Sequence, residues 1–205
     1  AGFRGVEYVG PYDFPAEQIA ELLRRHGLAQ VLFNLPAGNW AAGERGIGCH
    51  PDRVGEFQDG VGKAIAYARL LGNSQINCLA GIAPKNVASE KAEETLIANL
   101  RYAAAELKKA GILLIAEPIN TYDIPGFFLN RSAQAISLER SALRTLEECH
   151  LASRSMRLRP EGVLYCGTRD NDGSRPYAQT GFKFSGDFVQ APEEYRTLEE
   201  CISQL

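Results

Sequence analysis

Apolar positions along the first two-thirds of the chain follow one rhythm: a short apolar run, a polar loop, then a segment with apolar residues at helical spacing. The run Gly5-Val6-Glu7-Tyr8-Val9 predicts a strand. Asp13 and Pro15 then open a helix over 16–26, with Ile19, Leu22 and Leu23 on one face and Gly27 placed to end it. Residues 30–35 predict a second strand, followed by a long glycine-rich loop to about residue 52. Phe57, Val61, Ile65, Ala68 and Leu71 recur at helical spacing over 53–71, closed by Gly72. Residues 74–79 predict a third strand. Ser89 reads as the N-cap of a third helix that carries Leu96, Leu100, Ala103 and Leu107 inward and ends near Lys108 and Lys109. Gly111 releases the chain into the fourth strand, Ile112-Leu113-Leu114-Ile115-Ala116, which leads to Glu117-Pro118-Ile119-Asn120.

Four candidate strands thus alternate with three helices. Right-handed crossovers lay such strands parallel, in either a (β/α) barrel or an open doubly wound sheet. After about Leu138 the rhythm fails. Residues 141–152 suit a helix, 162–166 a strand, and 167–181 are rich in turn formers. The hexapeptide Arg-Thr-Leu-Glu-Glu-Cys occurs at 144–149 and again at 196–201, but the residues after the two copies diverge at once, so it marks no repeat architecture.

At 205 residues and 45% apolar, the chain can bury one sizeable core. A net charge of −3 gives no footprint for a polyanion, so no nucleic-acid partner is expected. The five cysteines include no C-x-x-C pair and predict free thiols in a reducing cytoplasm. No apolar run approaches the roughly 20 residues that a membrane span needs, and no secretory signal pattern is visible. The chain opens at Ala1-Gly2, already the lead-in to a strand, so further sequence is expected upstream.

Glu117 is the residue to explain. An ionisable carboxylate at the end of a buried strand is costly without a partner or a task, and in β/α folds chemistry gathers at the carboxyl ends of strands. With parallel strands, Glu7, Asn34, Trp40, Arg45, Glu117 and Asn120 share one rim. Such a rim suits a small acid: Arg45 can hold a carboxylate bidentately, and Glu117 can ligate a metal or move a proton. Plainer readings stand beside these. Glu117 can pair with a lysine or arginine, Arg45 can sit in an exposed ion pair, and Trp40 can plug the loop against a barrel mouth.

Other signals are weak. Residues 55–63 lack the glycine and hydroxyl spacing of a phosphate loop. His26, His50 and His150 are too scattered for a ligand cluster, and Asp170-Asn171-Asp172-Gly173 lacks the glutamate that would complete a calcium loop. Arg154, Arg157 and Arg159 read as a solvated face, and a Cys49–His50 thiol–imidazole pair is disfavoured because sequence neighbours rarely face each other productively.

Three stretches carry a resemblance: 2–7 (Gly-Phe-Arg-Gly-Val-Glu), 34–46 (Asn-Leu-Pro-Ala-Gly-Asn-Trp-Ala-Ala-Gly-Glu-Arg-Gly) and Glu117-Pro118-Ile119-Asn120, with Asp123-Ile124-Pro125-Gly126-Phe127 also fitting. Over about residues 1–136 the chain resembles the hydroxypyruvate isomerases of the xylose-isomerase-like TIM barrels. The resemblance implies an α/β fold, with 1–136 as a partial (β/α) TIM-type barrel and 137–205 left unassigned. It implies interconversion of hydroxypyruvate and tartronate semialdehyde (2-hydroxy-3-oxopropanoate) through an enediol or enediolate. Two glutamates would flank the substrate, beside a divalent metal ion, Mg²⁺ or Mn²⁺. Glu117 matches the first glutamate and would move the proton or hold the metal. Arg45 would clamp the substrate carboxylate, with Asn34 and Asn120 shaping the pocket, Trp40 lining it and Glu7 supporting it by ion pairing.

The family's second glutamate lies in a Gly-Cys-Glu-Tyr context that this sequence lacks, and its late-strand aspartate and glutamine ligands have no counterpart here. Phe33 stands where many relatives carry a histidine. A truncated or rearranged non-catalytic relative, or an enzyme of the same superfamily acting on another sugar or sugar acid, are therefore the alternatives. Exposed strand edges in a partial barrel predict a homo-oligomer.

Overall fold

The computed structural model describes residues 4–131, 133–135 and 137–138. The expected helix at 141–152, the strand at 162–166, the turn-rich 167–181, the repeated hexapeptide, His150 and the arginine stretch lie outside the described residues.

Four strands and three α-helices alternate, as the apolar rhythm requires: β1 Gly5–Glu7, α1 Ala16–His26, β2 Ala29–Asn34, α2 Val54–Leu71, β3 Gln75–Asn77, α3 Ser89–Lys109 and β4 Leu113–Ile115. The strands are parallel and pair in chain order, β1-β2-β3-β4. That order separates the two candidate architectures. A doubly wound sheet reverses direction at a switch point, whereas a barrel adds each strand beside the last. Helix packing agrees, because α2 packs against both α1 and α3.

The helices bury the faces their spacing predicts. Ile19, Leu22 and Leu23 of α1, Phe57, Val61, Ala68 and Leu71 of α2, and Leu96, Leu100, Ala103 and Leu107 of α3 are buried; Ile65, expected on the same face of α2, is only partly buried, and Ala64 beside it is buried instead. Phe33 and Ile76, both 0% exposed, extend this layer from the sheet. Several boundaries differ from the sequence reading. β1 stops at Glu7 rather than Val9, and residues 51–53 form a 3-10 turn before α2. Ser89 is the first residue of α3, not its cap; Ala88 holds the cap position without a side-chain bond.

Register sets which residues face inward. Phe33 pairs with Ile76 and Asn34 with Asn77, while Ile76 and Asn77 pair with Leu114 and Ile115. Phe33 and Ile76 pack under the helices, so the alternation turns Asn34 and Asn77 to the other, inner face. Between β1 and β2 the register slips: Val6 pairs with Gln30, but Glu7 pairs with Leu32. The extra residue, Val31, is 36% exposed. This bulge keeps Glu7 in step with the inner face despite the odd spacing.

Candidate active site

The inner face carries Glu7 at the end of β1, Asn34 at the end of β2, Asn77 at the end of β3 and Glu117 just beyond β4. The structure thus brings Glu7, Asn34 and Glu117 to one end of one sheet.

Glu117 is half-buried. Among the described residues it has no hydrogen bond and no salt bridge, so the plainer reading of a paired structural acid has no partner to rest on. Burial pushes its carboxyl up to about 7, with the negative charge of Glu7 as a second cause. Glu7 itself is open to solvent by surface area yet crowded, and that desolvation raises its carboxyl above the usual range. The ion pair expected for Glu7 is absent among the described residues; its electrostatic effect falls on Glu117, as repulsion.

Asn34 is held from several directions. Its Nδ2 donates to the Val9 carbonyl at 2.7 Å, and its Oδ1 accepts from Asn77 Nδ2 at 2.7 Å. Its own carbonyl accepts the Tyr12 hydroxyl at 2.7 Å. Asn77 went unnoticed in the sequence because Gln75-Ile76-Asn77 shows no motif. The available signal was a lone amide ending a buried strand, the same position that singled out Glu117.

Trp40 and Arg45 project from the β2–α2 loop. The Arg45 guanidinium carbon lies 4.1 Å from the Trp40 ring centroid, within cation–π range. Arg45 Nη1 donates to the carbonyls of Trp40, at 3.1 Å, and Glu44, at 2.8 Å. No carboxylate pairs with Arg45 among the described residues, which therefore give the exposed-ion-pair reading no support. Trp40 is 41% exposed and carries Arg45 on its face instead of plugging the loop.

The loop is braced from below. Glu44 accepts from the Asn39 N–H and from Arg53 Nη1, the latter at 2.6 Å. Partial burial works to raise Glu44, but the Asn39 amide and Arg53 together outweigh it and hold its carboxyl below the usual range. Arg53 also grips Glu56 at 2.6 Å. Two glycines let backbone meet backbone: Gly46, at φ +112°, would drive a Cβ to 2.4 Å from the Leu79 carbonyl oxygen, and Gly81, at φ +93°, to 2.2 Å from the Gly46 carbonyl oxygen. Cys49 N–H donates to Ala80 at 2.8 Å, and His50 Nε2 lies 2.9 Å from the Ile82 carbonyl. His50 is thus a loop tie. Cys49 is no activated nucleophile, because burial pushes its thiol up to about 12.

Asn120 is buried and turned to its own loop. Its Oδ1 accepts from Tyr122 N–H at 2.9 Å and Asp123 N–H at 3.0 Å, and its Nδ2 donates to Asp123 at 2.8 Å. It shapes the segment just after Glu117. That segment folds back beside the β3–α3 loop, where Phe128 N–H donates to the Gly81 carbonyl at 2.8 Å.

No group of three or more His, Cys, Asp or Glu among the described residues is arranged to hold a metal ion. A half-buried acid that has no counter-charge among the described residues and feels the charge of a second acid fits one edge of a cation site, with Glu117 as a single ligand.

Comparison with known proteins agrees with this geometry. Residues 1–145 match the xylose isomerase-like TIM barrel family. The chain is 56% identical over 137 residues to hydroxypyruvate isomerase of Escherichia coli K12, covering 67% of this chain and 53% of that protein. It is 40% identical over 153 residues to 2-oxo-tetronate isomerase of Cupriavidus necator, covering 73% of this chain and 59% of the relative. Among solved structures it is similar to an AP endonuclease, family 2, from Brucella melitensis, with a TM-score of 0.69 and 41% identity over 73% of this chain and 57% of that one. The chain spans a little over half the length of these relatives. Parallel strands added in chain order, an acid beyond the fourth of them, and the family match over most of the sequence lead to one conclusion: the chain belongs to the xylose isomerase-like TIM barrel family.

Proposed function

We propose that this chain serves an aldose–ketose type isomerase whose substrate is hydroxypyruvate, converted to 2-hydroxy-3-oxopropanoate. The observation that carries the reading is Glu117, a strand-end acid without a partner among the described residues, its carboxyl near 7. A group with that affinity both takes and returns a proton at neutral pH. Glu117 removes a proton from the hydroxyl-bearing carbon and delivers it to the neighbouring carbonyl carbon through an enediolate, while the hydroxyl proton passes to the former ketone oxygen, so that the hydroxyl becomes the aldehyde and the ketone the new hydroxyl. Arg45, pre-set on Trp40 with its remaining donors unspent on carboxylates, binds the substrate carboxylate. Asn34 shapes the floor, and Asn120 holds the Glu117 loop. A divalent ion, Mg²⁺ or Mn²⁺, would supply charge stabilisation for the substrate oxygens, and Glu117 would then hold that ion in place of carrying the proton. Resemblance to the E. coli and C. necator isomerases supports the substrate class.

A second reading has its own support. Glu7 and Glu117 are the only acids that the inner strand ends bring together among the described residues, so a non-catalytic relative that keeps the scaffold is the alternative. One assay separates the two. Purified protein with Mg²⁺ or Mn²⁺ converts hydroxypyruvate on the first reading. Turnover no greater than that of Glu117→Gln favours the second, and turnover of other ketoses alone favours a different sugar substrate.

Among the described residues β1 and β4 are the sheet edges, which supports a homo-oligomer, measurable by light scattering. The free thiol of Cys49 supports a reducing, cytoplasmic setting. Among the described residues, no helix is long and apolar enough to cross a membrane.

A further inference from the structure

The amide pair on the inner face fixes its own orientation. Asn34 Nδ2 is committed to the Val9 carbonyl, so the Asn34 oxygen is the atom left for a neighbour, and only a donor can meet it. Asn77 therefore turns its Nδ2 to Asn34, at 2.7 Å. Its own Oδ1 is left over. Asn77 is 3% exposed, and that oxygen has no hydrogen-bond partner among the described residues. Buried amide oxygens nearly always find a donor, and an orphan calls for an explanation.

Asn77 stands level with Asn34 on one side and Ile115 on the other. It lies between the strand that positions Asn34 and the strand that leads to Glu117. We infer that Asn77 is a specificity-determining residue, whose Oδ1 accepts the hydroxyl O–H of a bound hydroxy-oxo acid. The inference deepens the functional reading above and rests on it.

The chemistry is one-sided. With its nitrogen turned to Asn34, Asn77 offers the ligand only an acceptor. The carboxylate and ketone oxygens of a 2-oxo acid are acceptors too, and cannot satisfy it. The hydroxyl is the single donor that hydroxypyruvate brings, and pyruvate has none. Arg45 meets only the carboxylate that both acids share, so it cannot tell them apart. A site built to hydrogen-bond a ligand hydroxyl rejects the analogue that lacks it, because the buried partner is then left unpaired.

Trp40 is the only tryptophan of the sequence and lies against Arg45, so its emission reports filling of the site. The full chain is titrated with hydroxypyruvate and with pyruvate in one Mg²⁺ buffer. Hydroxypyruvate is expected to bind roughly tenfold more tightly than pyruvate. Asn77→Ala is expected to bring that ratio to about one. Asn77→Ser, too short to reach the ligand, serves in the same way if Asn77→Ala loses the native circular dichroism. Equal wild-type affinity for the two acids overturns the assignment alone, with no variant needed. A folded Asn77 variant that keeps the ratio overturns it as well. Failure of both acids to bind overturns the assignment together with the functional reading beneath it.

Discussion

Glu7 acts on Glu117 as a like charge, from the opposite edge of the described four-stranded sheet. Neither acid has a salt-bridge partner among the described residues. An enzyme that must move protons near neutrality has reason to keep such a pair uncompensated.

Glu117 makes stability depend on pH. Its folded-state carboxyl lies at about 7 against an ordinary 4.5. Below the ordinary value it is neutral both folded and unfolded, and contributes no penalty. As pH climbs from there through about 7 the unfolded chain ionises first, so stability falls; above that it levels off. Glu117→Gln removes the penalty. In metal-free buffer the variant should gain on the order of 2–3 kcal/mol at about pH 8 and almost nothing at about pH 4, as read by urea unfolding.

Replacing the other acid tests the coupling. Glu7→Gln removes the repulsion but not the burial, which is the larger cause. The Glu117 carboxyl should therefore titrate at lower pH than in the parent, yet still above the ordinary carboxylate range. Carbon NMR of the Glu117 carboxyl reads this directly, and an unchanged midpoint would contradict the coupling.

Arg45 should matter for binding more than for stability. Arg45→Ala is expected to weaken carboxylate ligands by roughly 10- to 100-fold with little change in melting temperature. Arg45→Lys should recover only part of the loss, because an ammonium neither stacks flat on Trp40 nor forks onto a carboxylate. Tryptophan emission and isothermal titration give two independent readouts.

The loop stem is sterically closed. Gly46→Ala places a methyl 2.4 Å from the Leu79 carbonyl oxygen at a backbone φ of +112°. Both the clash and the dihedral oppose it, so destabilisation of about 2–4 kcal/mol is expected from thermal melts. Gly43→Ala, also at positive φ but with open space around it, should cost less.

The helices and the order of elements were legible because their signals are local: Phe57, Val61 and Ala68 announce one face of α2 by spacing alone. Glu117 was legible because an acid ends an apolar run. Asn77 was not, because its importance lies in a register with Asn34 that no spacing within one strand reveals. The partnership of Trp40 and Arg45 depends on how the loop doubles back, and Asn39, which accepts from Ala42 N–H at 3.0 Å, is what turns it. The bulge at Val31 was hidden as well, since it exists only relative to β1. Ser89 misled because a good capping residue stood one position inside the helix it was expected to start.

The backbone weld between Gly46 and Gly81 divides the arginine-bearing loop into two regimes. Its root tolerates no added atom, whereas its tip, around Trp40 to Gly43, faces open solvent. Variation in what this scaffold grasps is thereby channelled to a few outward positions, and new specificities can arise there without disturbing the barrel wall that holds the acid in place.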